Sequence, residues 1–530
     1  MAFREFGVFF QKNRLQILVF AIILAGFISY INVYGNRFVW DDVFLITENK
    51  FIESFEHLPD IFVTSSGGGV GRIDDFYRPM QQVSYSLVYM FENRAPWAYH
   101  FLNIVLHLGC AVLIFFLIKR IFRRESLAFL TSLLWVIHPI QTEAITYMSG
   151  TADPLSVIFA LGSFWFYLNF RENKKWKELG FSCILFAFAL LSKESIIIFP
   201  ILLGLYEFVS TDKKWDWKQY VWVLPFLAMS AGYFALRLTV LNFGSTLSLF
   251  RGTALYSEHI SVRLMTFAAS LLSYYSFIFL PVGLHMERKF SLFLSVLSPP
   301  VLLSLALLVI FGYFVHKNLD KKNSPIVFGI LWFFISFIPM SGIIPVNQLL
   351  LEHWLYLPSI GFFLLISLFI HKIWDTFPGY RHLLIAGMIL VVVALSSLTL
   401  IQNTVWKDPI TFYTNILKHN EGSTRIYNNL GMEYAHTGNL VIAERLYLKA
   451  LEMSKNYPSS QVNHNLAALY ATVGMFDKAI FYANRSVEAN PTYFISYRLL
   501  GKIYENLGQN ETAQKYYGKA DSIKFYRNLV

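Results

Sequence analysis

Apolar runs of roughly the length needed to cross a bilayer recur along the first 400 residues of this 530-residue chain. A helix rises about 1.5 Å per residue, so about 20 apolar residues cross the hydrocarbon core, whereas a membrane strand needs only about ten alternating ones. The runs therefore predict an all-α, polytopic membrane domain. Hydrophobic residues make up 55% of the chain and charged residues only 15%, well below the charge of a soluble domain. The net charge of +10 sits mostly between the runs. It reads as topology-setting and headgroup-facing charge, not as a nucleic-acid surface.

Basic clusters occur at Arg4/Lys12/Arg14, Lys119/Arg120/Arg123/Arg124, Arg171/Lys174/Lys175/Lys177, Lys213/Lys214/Lys218, Lys317/Lys321/Lys322 and Lys372/Arg381. Placing all six in the cytoplasm gives about eleven crossings: 15–34, 98–118, 126–140, 154–170, 179–192, 195–209, 220–240, 300–316, 325–345, 358–373 and 382–402. The run 264–283 is left over, although it is long enough to span. Leu15–Tyr34 is too long for a usual signal-peptide core and lacks a small-residue cleavage site, so it reads as an uncleaved first span. Cys110 and Cys183 lie inside apolar runs and give no disulfide framework and no metal spacing.

This topology puts the acids near span ends on one face, outside. The loop 35–97 carries Trp40-Asp41-Asp42 and Tyr77-Arg78-Pro79. Later outer stretches hold His138 to Glu143, Asp153, Ser192-Lys193-Glu194, the loop from His285 through Lys289, and Glu352-His353. Ionisable groups at the membrane edge are costly and are functional candidates. Asp41 or Asp42 could serve as a general base, one carboxylate orienting the other, or simply cap a helix. Arg78 suits a phosphate or snorkels to a lipid headgroup. His138, Glu143 and Asp153 could share a hydrogen-bonding site, and a metal site would need tighter ligand convergence. Lys193 and Glu194 line a cavity or pair inertly.

After Gln402 the pattern changes. Leu430, Leu466 and Leu500 each precede a tyrosine by four residues (Tyr434, Tyr470, Tyr504) and a glycine by eight (Gly438, Gly474, Gly508); an alanine follows each glycine by five (Ala443, Ala479, Ala513). The period is that of the tetratricopeptide repeat. It predicts an α-solenoid over 424–530, joined through a linker helix over 406–423 to a membrane domain over 1–405.

Val39-Trp40-Asp41-Asp42, Tyr77-Arg78-Pro79, His138-Pro139 with Thr142-Glu143-Ala144, Gly150 to Asp153, Ser192-Lys193-Glu194 and Leu355-Tyr356-Leu357-Pro358-Ser359 occur in that order ahead of the repeats. The ordered set resembles the transmembrane and tetratricopeptide-repeat O-mannosyltransferases and their bacterial relatives, within the GT-C glycosyltransferases. The resemblance implies a sugar, mannose favoured, moved with inversion from a polyprenyl-phosphate donor to an acceptor hydroxyl of a protein Ser or Thr on the extracytoplasmic face. It implies no obligatory cofactor. Asp41 or Asp42 is then the expected base, Arg78, Lys193 and Arg288 the candidate phosphate binders, and Trp40, Tyr77, His138, Glu143, Asp153, Glu194, Glu352 and His353 the pocket. A bacterial inner membrane fits the short loops. Two departures stand out: related chains often have arginine where this one has Thr151 and His353. A non-catalytic, membrane-anchored repeat scaffold is the competing reading.

Overall fold

A computed structural model describes residues 13–211, 217–241, 254–321, 323–346, 348–454 and 459–529. Arg4, Lys12, Lys213, Lys214 and Lys322 of the predicted basic clusters lie outside the described residues. The described residues form helices and turns without strands, in two compact units, residues 1–407 and 408–530.

The main helices of the first unit are α1 (Arg14–Tyr30), α2 (Pro79–Glu92), α3 (Pro96–Phe122), α4 (Glu125–Ile137), α5 (Ala152–Asn173), α6 (Trp176–Ser192), α7 (Phe199–Ser210), α8 (Leu224–Leu238), α9 (Ile260–Phe279), α10 (Pro299–Asn318), α11 (Pro325–Ser336), α12 (Ser359–Thr376) and α13 (Arg381–Asn403). Proline at the first turn starts several of them, where its missing N–H is no loss. Among the described residues, eight helices with their flanking turns are long and apolar enough to cross a membrane: α1, α3, α5, α8, α9, α10, α12 and α13. They include α9, the run left over by the charge-based count. The shorter α4 and α11 are apolar too, while α6 and α7, counted as crossings from the sequence, fall outside that set. Pro200 and the charged tract Lys193-Glu194 break what would otherwise be one long helix into this pair.

Packing inside the unit follows membrane chemistry, in which small and polar residues hold helices together. Ser163 on α5 and Ser182 on α6 each donate to the other's backbone carbonyl, at 2.8 and 2.7 Å. Gly329 on α11 and Gly361 on α12 let two backbones meet: a methyl on Gly329 would lie 2.9 Å from the Gly361 carbonyl. The outward surface stays apolar, with Val309 of α10 and Leu390 of α13 exposed.

The end of α13 is tied to the end of α1. Asn403 donates to Ser29 O at 2.9 Å and Asn32 Oδ1 at 2.8 Å, and accepts from Asn36 on its carbonyl at 3.0 Å. Its Oδ1 accepts from Thr146 at 2.7 Å.

The second unit begins with α14 (Pro409–His419), followed by helix pairs α15/α16 (Thr424–His436, Leu440–Met453), α17/α18 (Ser460–Thr472, Phe476–Ala489) and α19/α20 (Phe494–Asn506, Asn510–Leu529). Gly438, Gly474 and Gly508 turn each pair at φ of 75–80°, a left-handed conformation that favours glycine. The alanines Ala443, Ala479 and Ala513 are fully buried. Within each pair, one position on the first helix meets one on the second with matched size. Gly431 faces Tyr447 and Gly501 faces Tyr517, where a methyl would sit 2.7 and 2.6 Å from the ring. In the middle pair both partners are buried alanines, Ala467 and Ala483.

Candidate active site

The site is organised by the buried segment Glu143–Asp153, which connects α4 to α5. A short helical turn at Thr142–Ile145 and a 3-10 turn at Met148–Thr151 fold it back on itself. Gly150 is required there: a methyl would fall 2.7 Å from Ala144 O and 2.8 Å from Glu143 O. The segment's backbone carbonyls are claimed by other elements. Asn103 of α3 donates to Ile145 O and Tyr147 O, Gln81 of α2 to Ser149 O, and Tyr85 of α2 to Met148 O. Buried backbone acceptors need such partners, so the segment is pinned from several sides.

The acidic loop docks on this segment. Asp42 is fully buried. Its Oδ1 accepts from Ser149 N at 2.7 Å and Ser149 Oγ at 2.6 Å, and its Oδ2 accepts from Val39 N at 2.9 Å. Burial nevertheless pushes this carboxyl up to about 7, against the lowering effect of its hydrogen bonds. Asp41 is exposed, and its backbone N–H donates to Tyr147 Oη at 3.1 Å. Tyr147 in turn stacks on Trp406, with centroids 5.1 Å apart. Trp40 stands at φ 52°, a strained conformation for a bulky residue. The turn that imposes it is closed by Asp42, which both accepts from Val39 N and donates its own N–H to Val39 O at 3.0 Å. The paired aspartates thus divide: one fixes the loop, the other faces outward.

The cations gather at the two ends of the same segment. At Asp153, Lys193 Nζ lies 2.6 Å from Oδ1, both side chains nearly buried. Arg78 holds Glu194 through two bonds, Nε to Oε2 at 3.0 Å and a terminal nitrogen to Oε1 at 2.5 Å. Despite the cost of burial, the Arg78 charge and hydrogen bond hold the Glu194 carboxyl down to about 2. At Glu143, Oε2 accepts from Glu352 N at 2.8 Å and His353 N at 3.2 Å, and Oε1 lies 2.7 Å from His353 Nδ1. Glu352 accepts from His285 N at 2.6 Å and from Arg288. Arg288 Nε is buried and has no hydrogen-bond partner among the described residues, and the guanidinium lies over the Phe277 ring at 4.3 Å. These groups interact electrostatically: Lys193, Asp153, Arg78 and Glu194 all act on His353, and Arg288 and Lys193 act on Glu143.

Of the residues singled out in the sequence, Arg78, Glu143, Asp153, Lys193, Glu194, Arg288, Glu352 and His353 come together here. Asp41 and Asp42 join through Tyr147 and Ser149. Tyr77 is buried and donates to Phe62 O at 2.9 Å, a bond that braces the outer loop. His138 stands apart. Its Nε2 donates to Ile278 O at 3.0 Å and its Nδ1 accepts from Ile140 N at 3.2 Å, so both ring nitrogens serve the backbone. Thr151 is buried with Oγ1 2.6 Å from Asn103 Oδ1 and 2.7 Å from Met148 O; it points into the scaffold, not at a ligand. Sequence reasoning missed Tyr147 and Ser149. The one hint was their place beside the Gly150–Asp153 tract.

Comparison with known proteins follows these lines. Residues 79–241 match the family model of dolichyl-phosphate-mannose-protein mannosyltransferases, and 423–492 and 482–515 match tetratricopeptide repeats. The human protein O-mannosyl-transferase TMTC3 is 24% identical over 92% of this chain and 53% of its own length. The Caenorhabditis elegans protein O-mannosyl-transferase F38B6.6 is 25% identical over 84% of this chain and 64% of its own. Human protein O-mannosyl-transferase TMTC1 is 32% identical, over 28% of this chain and 18% of its own. The chain spans about half the length of human TMTC3. The likeness is to a multi-pass membrane unit followed by tetratricopeptide repeats, in relatives named protein O-mannosyl-transferases.

Proposed function

We propose that the protein transfers a sugar, mannose favoured, from a polyprenyl-phosphate donor to a hydroxyl of a protein Ser or Thr, on the extracytoplasmic side of the membrane. One observation carries the reading. A single pinned segment, Glu143–Asp153, holds the acidic loop at Tyr147 and Ser149 and cation-bearing clusters at Glu143 and Asp153. Glycosyl transfer from a phosphate needs both: a base for the acceptor hydroxyl and positive charge for the leaving group.

Asp41 is the base. It is the exposed member of the pair, and Asp42 keeps its backbone in place. As the acceptor oxygen attacks C1 of the sugar, its proton passes to the Asp41 carboxylate. The C1–O bond to phosphate breaks on the opposite face, which gives inversion, and the electron pair leaves with the phosphate. Arg78, Lys193 and Arg288 stabilise that departing charge. Each cation now rests on a carboxylate, so the donor phosphate shares or displaces Glu194, Asp153 and Glu352. The stacked repeats present a concave surface suited to an extended peptide acceptor.

The test is a glycoproteomic comparison of cells with and without the protein, and with Asp41→Asn. Ser/Thr-linked sugars should vanish in the knockout and in the variant. Sugars lost in the knockout but retained with Asp41→Asn would remove Asp41 as base. No change in any glycan would favour the repeat scaffold instead.

A further inference from the structure

The cluster contains one more carboxyl than it has cations. Glu194, Asp153, Glu352 and Glu143 face Arg78, Lys193 and Arg288. An uncompensated charge in a buried site is strongly disfavoured, so the cluster holds a proton. Burial raises the Glu352 carboxyl too, to about 8, but Glu352 is paired directly with Arg288, whereas the side-chain partner of Glu143 is His353, so the Glu143–His353 contact is where the proton fits. The Glu143 side chain has no solvent exposure, and its Oε1 meets Nδ1 at 2.7 Å. His353 keeps 18% exposure, and its Nε2 takes no hydrogen bond among the described residues. Burial, opposed by backbone hydrogen bonds and by Arg288 and Lys193, pushes the Glu143 carboxyl above its ordinary range. Burial and the Lys193 charge push the His353 imidazole down to about 3. The pair therefore takes up one proton, not two, and titrates as a unit.

We propose that Glu143 and His353 form a one-proton relay at the anionic subsite, with Nε2 as its outward face. Loaded, the proton lies on Glu143 against Nδ1, and Nε2–H donates to an oxygen of the donor phosphate. Unloaded, the Glu143 carboxylate accepts from Nδ1–H, and Nε2 turns a lone pair toward the anion. During transfer the bond from C1 to the phosphate oxygen breaks and the bond from C1 to the acceptor oxygen forms. The acceptor's proton goes to Asp41. The Nε2 proton passes to the departing phosphate while the Glu143 proton moves to Nδ1, and solvent then recharges the pair. The inference rests on the phosphate-linked donor proposed above.

The experiment uses purified full-length protein and a short-chain polyprenyl phosphomannose, a phosphodiester that keeps one negative charge over the range used. Binding to the wild type should weaken at least about tenfold between about pH 6 and about pH 8.5, the loss of one charge-assisted hydrogen bond. In Glu143→Gln the amide donates permanently to Nδ1 and locks Nε2–H outward. Its binding should be tight and independent of pH, while kcat falls because no relay proton can move. His353→Gln, with an amide in place of the Nε2 donor, should also bind without pH dependence. Wild-type binding that ignores pH, or pH dependence that persists in Glu143→Gln, would overturn the relay and leave the donor reading standing. A folded wild type that binds the probe at no pH would overturn the donor reading, and the relay with it.

Discussion

The two units fix their polar side chains over very different stretches of sequence. In the repeat unit, Asn465 reaches Asn428 across 37 residues and Tyr470 reaches Glu444 across 26. In the membrane unit, Ser149 reaches Asp42 across 107 residues, Arg78 reaches Glu194 across 116 and His353 reaches Glu143 across 210. Repeats settle their polar contacts with the next repeat, so a fault stays local. The membrane unit assembles its site from elements far apart in the chain, so a fault in one supporting residue reaches all of them.

Mutations put this contrast to the test. The largest effect belongs to Asp41→Asn, which removes a proton acceptor and keeps the side chain's size. Transfer should fall ~10²–10⁴-fold with the thermal midpoint unchanged; a fall in midpoint would mean Asp41 is structural. Next comes Asp42→Ala, which strips the acceptor from Val39 N, Ser149 N and Ser149 Oγ. It should cost about 2–4 kcal/mol and lower transfer indirectly, both read in one purified sample by thermal unfolding and turnover. Activity lost without stability would reassign Asp42 to the chemistry.

Smaller and confined to the repeats is Gly431→Ala. Its methyl meets the Tyr447 ring and should cost about 1–3 kcal/mol. In a Tyr447→Ala background, which imitates the Ala467/Ala483 pair, the same change should cost little, and a double-mutant cycle measures the coupling. Additive costs would show that the two positions do not read each other.

The last effect is a pH dependence, read across a titration and not at one pH. The Asp42 carboxyl is raised to about 7 from 3.8, so the folded state holds a proton there that the unfolded chain releases. Its contribution is fully present below pH 3.8 and is lost as pH rises through about 7, with a limiting slope of about 1.4 kcal/mol per pH unit. The stability difference between wild type and Asp42→Asn should therefore shift toward the wild type on acidification. A difference independent of pH would contradict the raised carboxyl.

Much of the fold is legible in the sequence because its signals are periodic. The 20-residue apolar runs mark helices, and the Leu-Tyr-Gly-Ala spacing marks the repeats. The exceptions are α6 and α7, whose 17 and 12 residues are shorter than the apolar run of about 20 that crosses a bilayer, and α9, whose hydropathy is clear but which the charge rule had no place for. Site residues were legible as types: acids and cations at span ends are expensive and so conspicuous. Their roles were not. Nothing in Asp41-Asp42 tells which is buried, since that is decided by Ser149. His138 carries the same chemistry as His353, yet its nitrogens are spent on Ile140 and Ile278. Size matching, as in Gly431 with Tyr447, is written in the sequence but becomes visible only once the helices are paired.

The clasp at Asn403 has a consequence for the order in which the molecule is made. Thr146, at the centre of the site-bearing segment, and the end of α1 both bond to this one residue of the last apolar helix. A ribosome produces the chain at about 5–20 residues per second. The acidic loop therefore emerges on the order of 20 seconds or more before its final anchor exists. Until then the first helix and the loop must wait in the membrane incompletely fastened, and a nascent chain stalled short of residue 403 has its helices but not its clasp. Assembly of the site is in this sense a late event of biosynthesis, timed by the last apolar helix and not by the first.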